Sequence, residues 1–392
     1  MTAYLLDTRR TPRGKAKPTG GLASRTPLQL LEPLLTTLGG DLPIDDVILG
    51  CATQTGEQGG NIARTAAALA GWTGTPGMTL NRFCASGVDA ISTAAAHITF
   101  GTANLVIAGG VESVSHAPMF SDQAPLYRDP TVISRLGSVH MGIAADLIAT
   151  LEDLHRAELD AYGLRTQHRA AAAWQNGRHH ATPIHDDYGT VLLDHDEALR
   201  PHTTADELAA LPPAFTELGL HGQDDLVRRH HPEVTEIRHL HTVGTSPTLA
   251  DAAAITLIGT AETAERHGLR PRARIAAAAT AAVDPVIMLT AGQHAVQKLL
   301  ASTGLHPDDI AVYEIAEAFA ASCVKFERDL AITDDRLNPN GGTIAMGHAF
   351  GATGAILAQS CVDELERRNA RHGIIAVSGA AGVGSALLLT RV

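Results

Sequence analysis

One supersecondary pattern is written twice in this sequence, and it constrains the fold more than any other feature. From Gly87 a run with helical spacing leads to the apolar stretch 105–110 (LVIAGG). From Gly354 a second helical run leads to 374–378 and Gly379. Gly87 to Gly110 spans 23 residues and Gly354 to Gly379 spans 25. A repeated unit of that length predicts a duplicated α/β architecture, each copy a helix followed by a strand. The apolar stretch closed by Gly-Gly predicts a parallel strand covered on both faces, with a functional loop at its carboxyl end. A strand is also expected over Asp46–Gly50, and helices over 63–71, Ser86–Phe100 and from Gly354 onward. The chain is 45% hydrophobic but only 4% aromatic. Its core must therefore come from Ala, Leu, Ile and Val, whose small side chains let layers approach closely.

Between the copies the composition changes. Residues 118–248 hold most of the 20 histidines, many charges and prolines, and one strongly helical stretch, 151–174. A long irregular insertion reads as a lid or binding loop. The formal net charge of −12 argues against a nucleic-acid footprint, and protonating every histidine would reverse its sign. Only Lys15, Lys17, Lys298 and Lys325 are lysines, the other basic residues being arginines suited to local anion clamps. Four cysteines make no disulfide framework, the N-terminus lacks a signal-peptide pattern, and the longest apolar run, 275–283, is short for a membrane span. A cytoplasmic location is expected.

Two segments carry chemistry. In 81–87 (NRFCASG) a lone cysteine stands between a strand-like MTL and a helix start, where free N–H groups and the dipole should lower its pKa. Cys84 is thus the candidate nucleophile, while Cys51, Cys323 and Cys361 read as inert. In 338–354 (NPNGGTIAMGHAFGATG) His348 occupies the counterpart position in the second copy, so Cys84 and His348 form the pair that nucleophilic acyl transfer requires. The small residues of 378–386 (SGAAGVGSA) offer backbone N–H groups for an oxyanion hole. His179, His180, His185, His230, His231, His239 and His241 read as surface loop histidines rather than a metal site, since the region contributes no cysteine.

At these residues the chain resembles the thiolase family from end to end. The resemblance runs through TRRTPRGK, QGGNIART, NRFCASG, VIAGGVESVSHAP, HRAELDAYGLRTQHRA, LPPAF and NPNGGTIAMGHAFGATGA. It implies a five-layered αβαβα sandwich of two similar halves. Residues 1–117 plus 249–268 would be one half, 269–392 the other, and 118–248 an inserted CoA-binding loop domain. It implies Cys84 as acyl acceptor and His348 as its activator, lining a first oxyanion hole, with the N–H groups of Cys84 and Ala380 forming a second. Ser246 falls at or one residue from the CoA-contacting serine. A homodimer or homotetramer is implied, with acyl-CoA as substrate and no resident cofactor or metal.

Three departures matter. Ala316 stands where the family's asparagine holds the oxyanion-hole water, and Ala349 follows His348 in place of proline. Ser378 replaces the second cysteine, which moves the α-proton. An alkyl hydroxyl hardly ionises near neutrality, whereas a thiol does. The expectation is a thiolase-type acyltransferase using acyl-Cys84 but atypical in carbon–carbon bond making or breaking. His140 and Glu317 are the candidate replacement bases, with a structural role favoured for Glu317. The alternatives are a repurposed enzyme passing the acyl group to another nucleophile or water, and a non-catalytic acyl-CoA-binding or scaffold subunit.

Overall fold

The computed structural model describes residues 1–392. Its first strands are β1 (Tyr4–Arg10), β2 (Gly14–Lys15), β3 (Asp46–Gly50), β4 (Gly77–Leu80) and β5 (Leu105–Ser113). A small hairpin, β6 (Ile184–His185) and β7 (Val191–Leu193), lies in the inserted region. The chain then adds β8 (Ala250–Gly259), β9 (Ala273–Ala282), β10 (Val312–Ile315), β11 (His372–Gly379) and β12 (Val383–Arg391).

The duplication is visible in the pairing. The first half runs β1-β8-β5-β3-β4, with β5 and β4 parallel to β3, and with β8 antiparallel to both β5 and β1. The second runs β9-β12-β11-β10, with β11 parallel to β10, and with β12 antiparallel to both β11 and β9. Thus β9, β12, β11 and β10 are the counterparts of β1, β8, β5 and β3. The halves join where β1 meets β9 at Tyr4–Arg274 and Leu5–Ala273.

Five layers follow. Two central helices, Ser86–Phe100 and Phe350–Arg368, bury Val88, Ile91, Ile356 and Leu357 between the sheets, against Ile48 and Val106 on one side and Ile375 and Leu387 on the other. Alternation along β8 shows why a continuous apolar strand is needed: Ala252, Ala254 and Ile258 face this middle layer, while Ala253, Ile255 and Leu257 face the outer one. Helix Pro27–Gly39 covers that outer face with Leu30, Leu31, Leu34 and Leu35, its start set by a Thr26/Gln29 capping box and Pro27 in the first turn. On the far side, helices Ala291–Thr303 and Ala320–Leu330 pack Val296, Leu299 and Phe326 with Ile374 and Leu388.

Several element boundaries differ from expectation. The strand predicted over 105–110 continues to Ser113 because Glu112 and Ser113 keep pairing with Ala252 and Asp251. The second central helix begins at Phe350, not Gly354. Gly87 and Gly354 are the point where the two central helices cross. A Cβ on Gly87 would lie 2.5 Å from the Gly351 carbonyl oxygen, and one on Gly354 would lie 2.2 Å from the Val88 nitrogen. These glycines permit contact between the copies rather than opening helices.

In the inserted region, 151–174 resolves into helix Arg156–Gln175, with Glu158 bonded back to the His155 N–H, and a separate helix Met141–Leu151. The apolar segment 130–151 is interrupted at Gly137 (φ 64°), and its second helix is buried in the core. The histidines are less superficial than expected, since His179 and His241 are buried. The Asp146 carboxylate accepts from His239 Nδ1 (2.9 Å), His241 Nδ1 (2.7 Å) and two backbone N–H groups, while His239 Nε2 reaches Asp224 (3.1 Å). His241 Nε2 in turn accepts from the Ala321 N–H, tying the insertion to the second half. These two carboxylates raise the pKa of His239.

Candidate active site

Cys84 lies in the turn between β4 and the first central helix. Phe83, at φ 51°, forces the chain through a left-handed kink. Three hydrogen bonds hold it. Asn81 Oδ1 accepts from Phe83 N (2.7 Å), Ser86 Oγ accepts from Arg82 N (2.8 Å), and the Ser86 hydroxyl donates to Phe83 O (2.6 Å). The Cys84 N–H finds no acceptor in the protein, and neither does that of Ala380, in the turn between β11 and β12.

The expectation of an acidified thiol is overturned. The Cys84 thiol is pushed up to about 12, first by burial and then by the charge of Glu112, although its own backbone N–H partly opposes the rise. A helix N-terminus supplies only about 1 kcal/mol, less than this desolvation costs. The residue is part exposed, toward a space walled by Met119, Met141 and Phe350. Glu112 is held by N–H groups of Ala52 (2.8 Å), Thr53 (3.0 Å) and Gly351 (3.0 Å) and by Gln58 Nε2 (2.9 Å), a donor set that suits a carboxylate.

His348 occupies the corresponding turn of the second copy. Its backbone is pinned to the start of β8 by His348 N to Thr248 O (2.8 Å) and Ala250 N to His348 O (3.2 Å). Nδ1 lies 2.8 Å from Thr353 Oγ1, whose single proton has an acceptor in Ala349 O at 3.2 Å. With that proton so placed, Nδ1 carries a hydrogen and Nε2 keeps a free lone pair. Burial, and after it the cation of Arg13, lower the His348 pKa to about 4, so the ring is neutral at pH 7. Arg13 and Arg10 share the buried Asp196 carboxylate (2.6 and 2.8 Å), and Arg13 also reaches Met346 Sδ (3.0 Å). This ties the TPRGK segment to the loop before His348.

Cys84, His348, Ser246, Ser378, Ala380 and His140 all line one cavity of about 220 Å³, with Phe215, Phe319 and Leu289 among its apolar walls. Ser246 donates to Thr242 O (2.7 Å). The Ser378 hydroxyl donates to Leu289 O (2.7 Å) and accepts from Gly292 N (2.8 Å).

Two expected site residues do not reach this cavity. Ala316 lies behind it, lining with Ser378, Gln293 and Ser322 a void of about 20 Å³, and its methyl group cannot hold a water. Glu317 is fully buried and committed to Tyr162 Oη (3.0 Å), Thr166 Oγ1 (2.9 Å) and Ile344 N (3.0 Å), so its role is structural. His140 lines the cavity, but its Nδ1 accepts from Gly142 N (3.0 Å), which places the ring proton on Nε2. The neutral ring thus presents a donor, not a base.

Sequence reading missed Glu112, Arg13, Thr353 and the aromatic walls Phe215 and Phe319. Four of them lie in segments that carry the resemblance (VIAGGVES, TPRGK, GHAFGATG and LPPAF), yet their contacts depend on distant elements.

Comparison with known proteins agrees with this geometry. Residues 4–221 match the model of the thiolase N-terminal domain, and residues 269–391 that of the thiolase C-terminal domain. The chain is 38% identical to the 3-oxoadipyl-CoA/3-oxo-5,6-dehydrosuberyl-CoA thiolase of Escherichia coli K12, over 89% of this chain and 88% of the relative. It is 33% identical to the 3-ketoacyl-CoA thiolase of Bacillus subtilis 168, over 98% of each. The crystal structure of the Bacillus anthracis acetyl-CoA acetyltransferase superposes with a TM-score of 0.85 at 30% identity, covering 100% of this chain and 99% of that one. The chain therefore belongs to the thiolase family and has its fold. It is an acyltransferase of that superfamily.

Proposed function

We propose that this protein takes acyl groups from CoA thioesters onto Cys84 and that its carbon–carbon step proceeds without Ser378 as proton carrier. In the first step Cys84 Sγ attacks the thioester carbonyl carbon as His348 Nε2 accepts the thiol proton. Because the free thiol is so weakly acidic, proton transfer accompanies attack rather than preceding it. The N–H groups of Cys84 and Ala380 take the developing oxyanion. Collapse expels the CoA thiolate, which recovers the proton from His348, leaving acyl-Cys84 and free CoA. The shared cavity supports this assignment, as does the free lone pair on His348. CoA enters as substrate, and the reading needs no resident cofactor.

The second half is where this chain diverges. Moving an α-proton needs a group that is basic near neutrality, and the Ser378 hydroxyl, an alkyl alcohol that donates to Leu289 O and accepts from Gly292 N, is a poor one. That engagement is the observation carrying the atypical reading, and it favours the second possibility, transfer of the acyl group to water or another nucleophile. The open edge of β4, beside the QGGNIART segment, supports a homodimer.

The test is thiolysis of acetoacetyl-CoA by the wild type, Ser378→Ala and Ser378→Cys. The expected outcome is a slow wild type, little change on Ser378→Ala, and a gain of about 10² or more for Ser378→Cys, the scale of general acid–base catalysis. A fast wild type that Ser378→Ala cripples would contradict the proposal.

A further inference from the structure

Cys84 stands at the junction of two cavities. His348, Ser246 and Ser378 line only the larger one. The second, about 40 Å³, lies against Met119, Phe120, Met141 and Phe350, with Asp122 and Tyr127 also in its wall. On the acyl-Cys84 reading, on which this inference rests, the departing CoA sulfur must meet His348 and so lies in the larger space. The acyl chain, attached to the same carbonyl carbon, then enters the smaller one.

The ionisable groups around that smaller space share one sign. Its wall includes no arginine, lysine or histidine. Asp122 is an exposed carboxylate whose Oδ1 caps the Ala124 N–H (3.4 Å). Tyr127 is a neutral phenol whose pKa is raised first by burial and further by the neighbouring Asp122 carboxylate. Behind the wall residues Ala52 and Thr53 sits the Glu112 carboxylate. An acyl chain ending in a carboxylate would bring a further negative charge toward Asp122, into a largely apolar space whose wall offers no cation to pair it.

We infer that the cavity beside Cys84 selects short uncharged acyl groups, and that Asp122 is a specificity-determining residue excluding acyl chains with a terminal carboxylate. This separates the chain from its Escherichia coli relative, whose name denotes a substrate carrying a terminal carboxylate.

Initial rates of Cys84 acylation by butyryl-CoA and succinyl-CoA test this, read by mass spectrometry of the full-length protein. The two acyl groups share a four-carbon chain and differ at the terminus, methyl against carboxylate. Butyryl transfer should be about ten-fold or more the faster, the scale of one partly screened charge contact. Asp122→Asn keeps the acceptor for Ala124 N and removes the charge, so the ratio should narrow at least three-fold. Equal wild-type rates, or a ratio unmoved by Asp122→Asn, would overturn the inference. If neither donor nor acetyl-CoA modifies Cys84, the acyl-Cys84 reading itself fails, and this inference with it.

Discussion

At the scale of single residues, the pairing of an unacidified thiol with an unprotonated imidazole decides how the site works. A thiol near 12 and a histidine near 4 do not exchange a proton spontaneously at pH 7. Reactivity is therefore conditional on a carbonyl in place, and the resting enzyme should resist simple alkylation. With iodoacetamide, the Cys84 alkylation rate should rise about ten-fold per pH unit and still be rising at pH 10, because only the thiolate reacts. Peptide mass spectrometry of the modified site measures this, and a plateau below pH 8 would contradict it. The positions of Cys84 and His348 were legible because each sits in a short turn at the mouth of a helix. The sign of the Cys84 shift was not, because the burying side chains, Met119, Met141 and Phe350, come from three other segments. Ser378 was legible as a departure, but its hydrogen bonds to the Leu289 carbonyl and from the Gly292 N–H were not, because the local sequence announces neither partner.

At the scale of elements, the crossing of the two central helices places the catalytic turns side by side. Gly87 follows Cys84 by less than one helical turn, and Gly354 stands shortly after His348, so close helix contact and site assembly are one event. Gly354→Ala would press a methyl group onto the Val88 backbone, where neither helix can yield without moving a sheet. The expected cost is on the order of 1–3 kcal/mol of stability, together with a disproportionate loss of activity as the two turns separate. Urea unfolding with a parallel rate assay measures both, and unchanged stability would refute the role given to the crossing. Sequence periodicity found these helices and four of the twelve strands, β3, β4, β5 and β11, but read the two glycines as the starts of helical runs. A glycine needed for a tertiary contact looks the same in sequence as one needed for a turn.

At the scale of the whole molecule, the site exists only where three parts of the chain meet. The first half brings Cys84 and the second brings His348, Ser378 and Ala380, while the inserted region adds His140, Phe215 and Ser246. The duplication was visible in the spacing of two weakly similar segments because both copies obey one physical pattern, a helix and then a buried strand. The insertion was visible only as a change in composition. Its histidines read as superficial, yet His179 and His241 are buried and Asp146 gathers His239 and His241 into a clamp. Irregular segments have no periodicity from which burial can be read.

The most direct test of this assembly is whether the assembled site accepts an acyl group from CoA. Intact-mass measurement after mixing the purified protein with acetyl-CoA should show one acetyl group per chain. The adduct should map to Cys84, be abolished by Cys84→Ala, form far more slowly in His348→Asn, and form at near wild-type rate in Ser378→Ala. An unmodified chain under those conditions, or an acetyl group that survives Cys84→Ala, would contradict it.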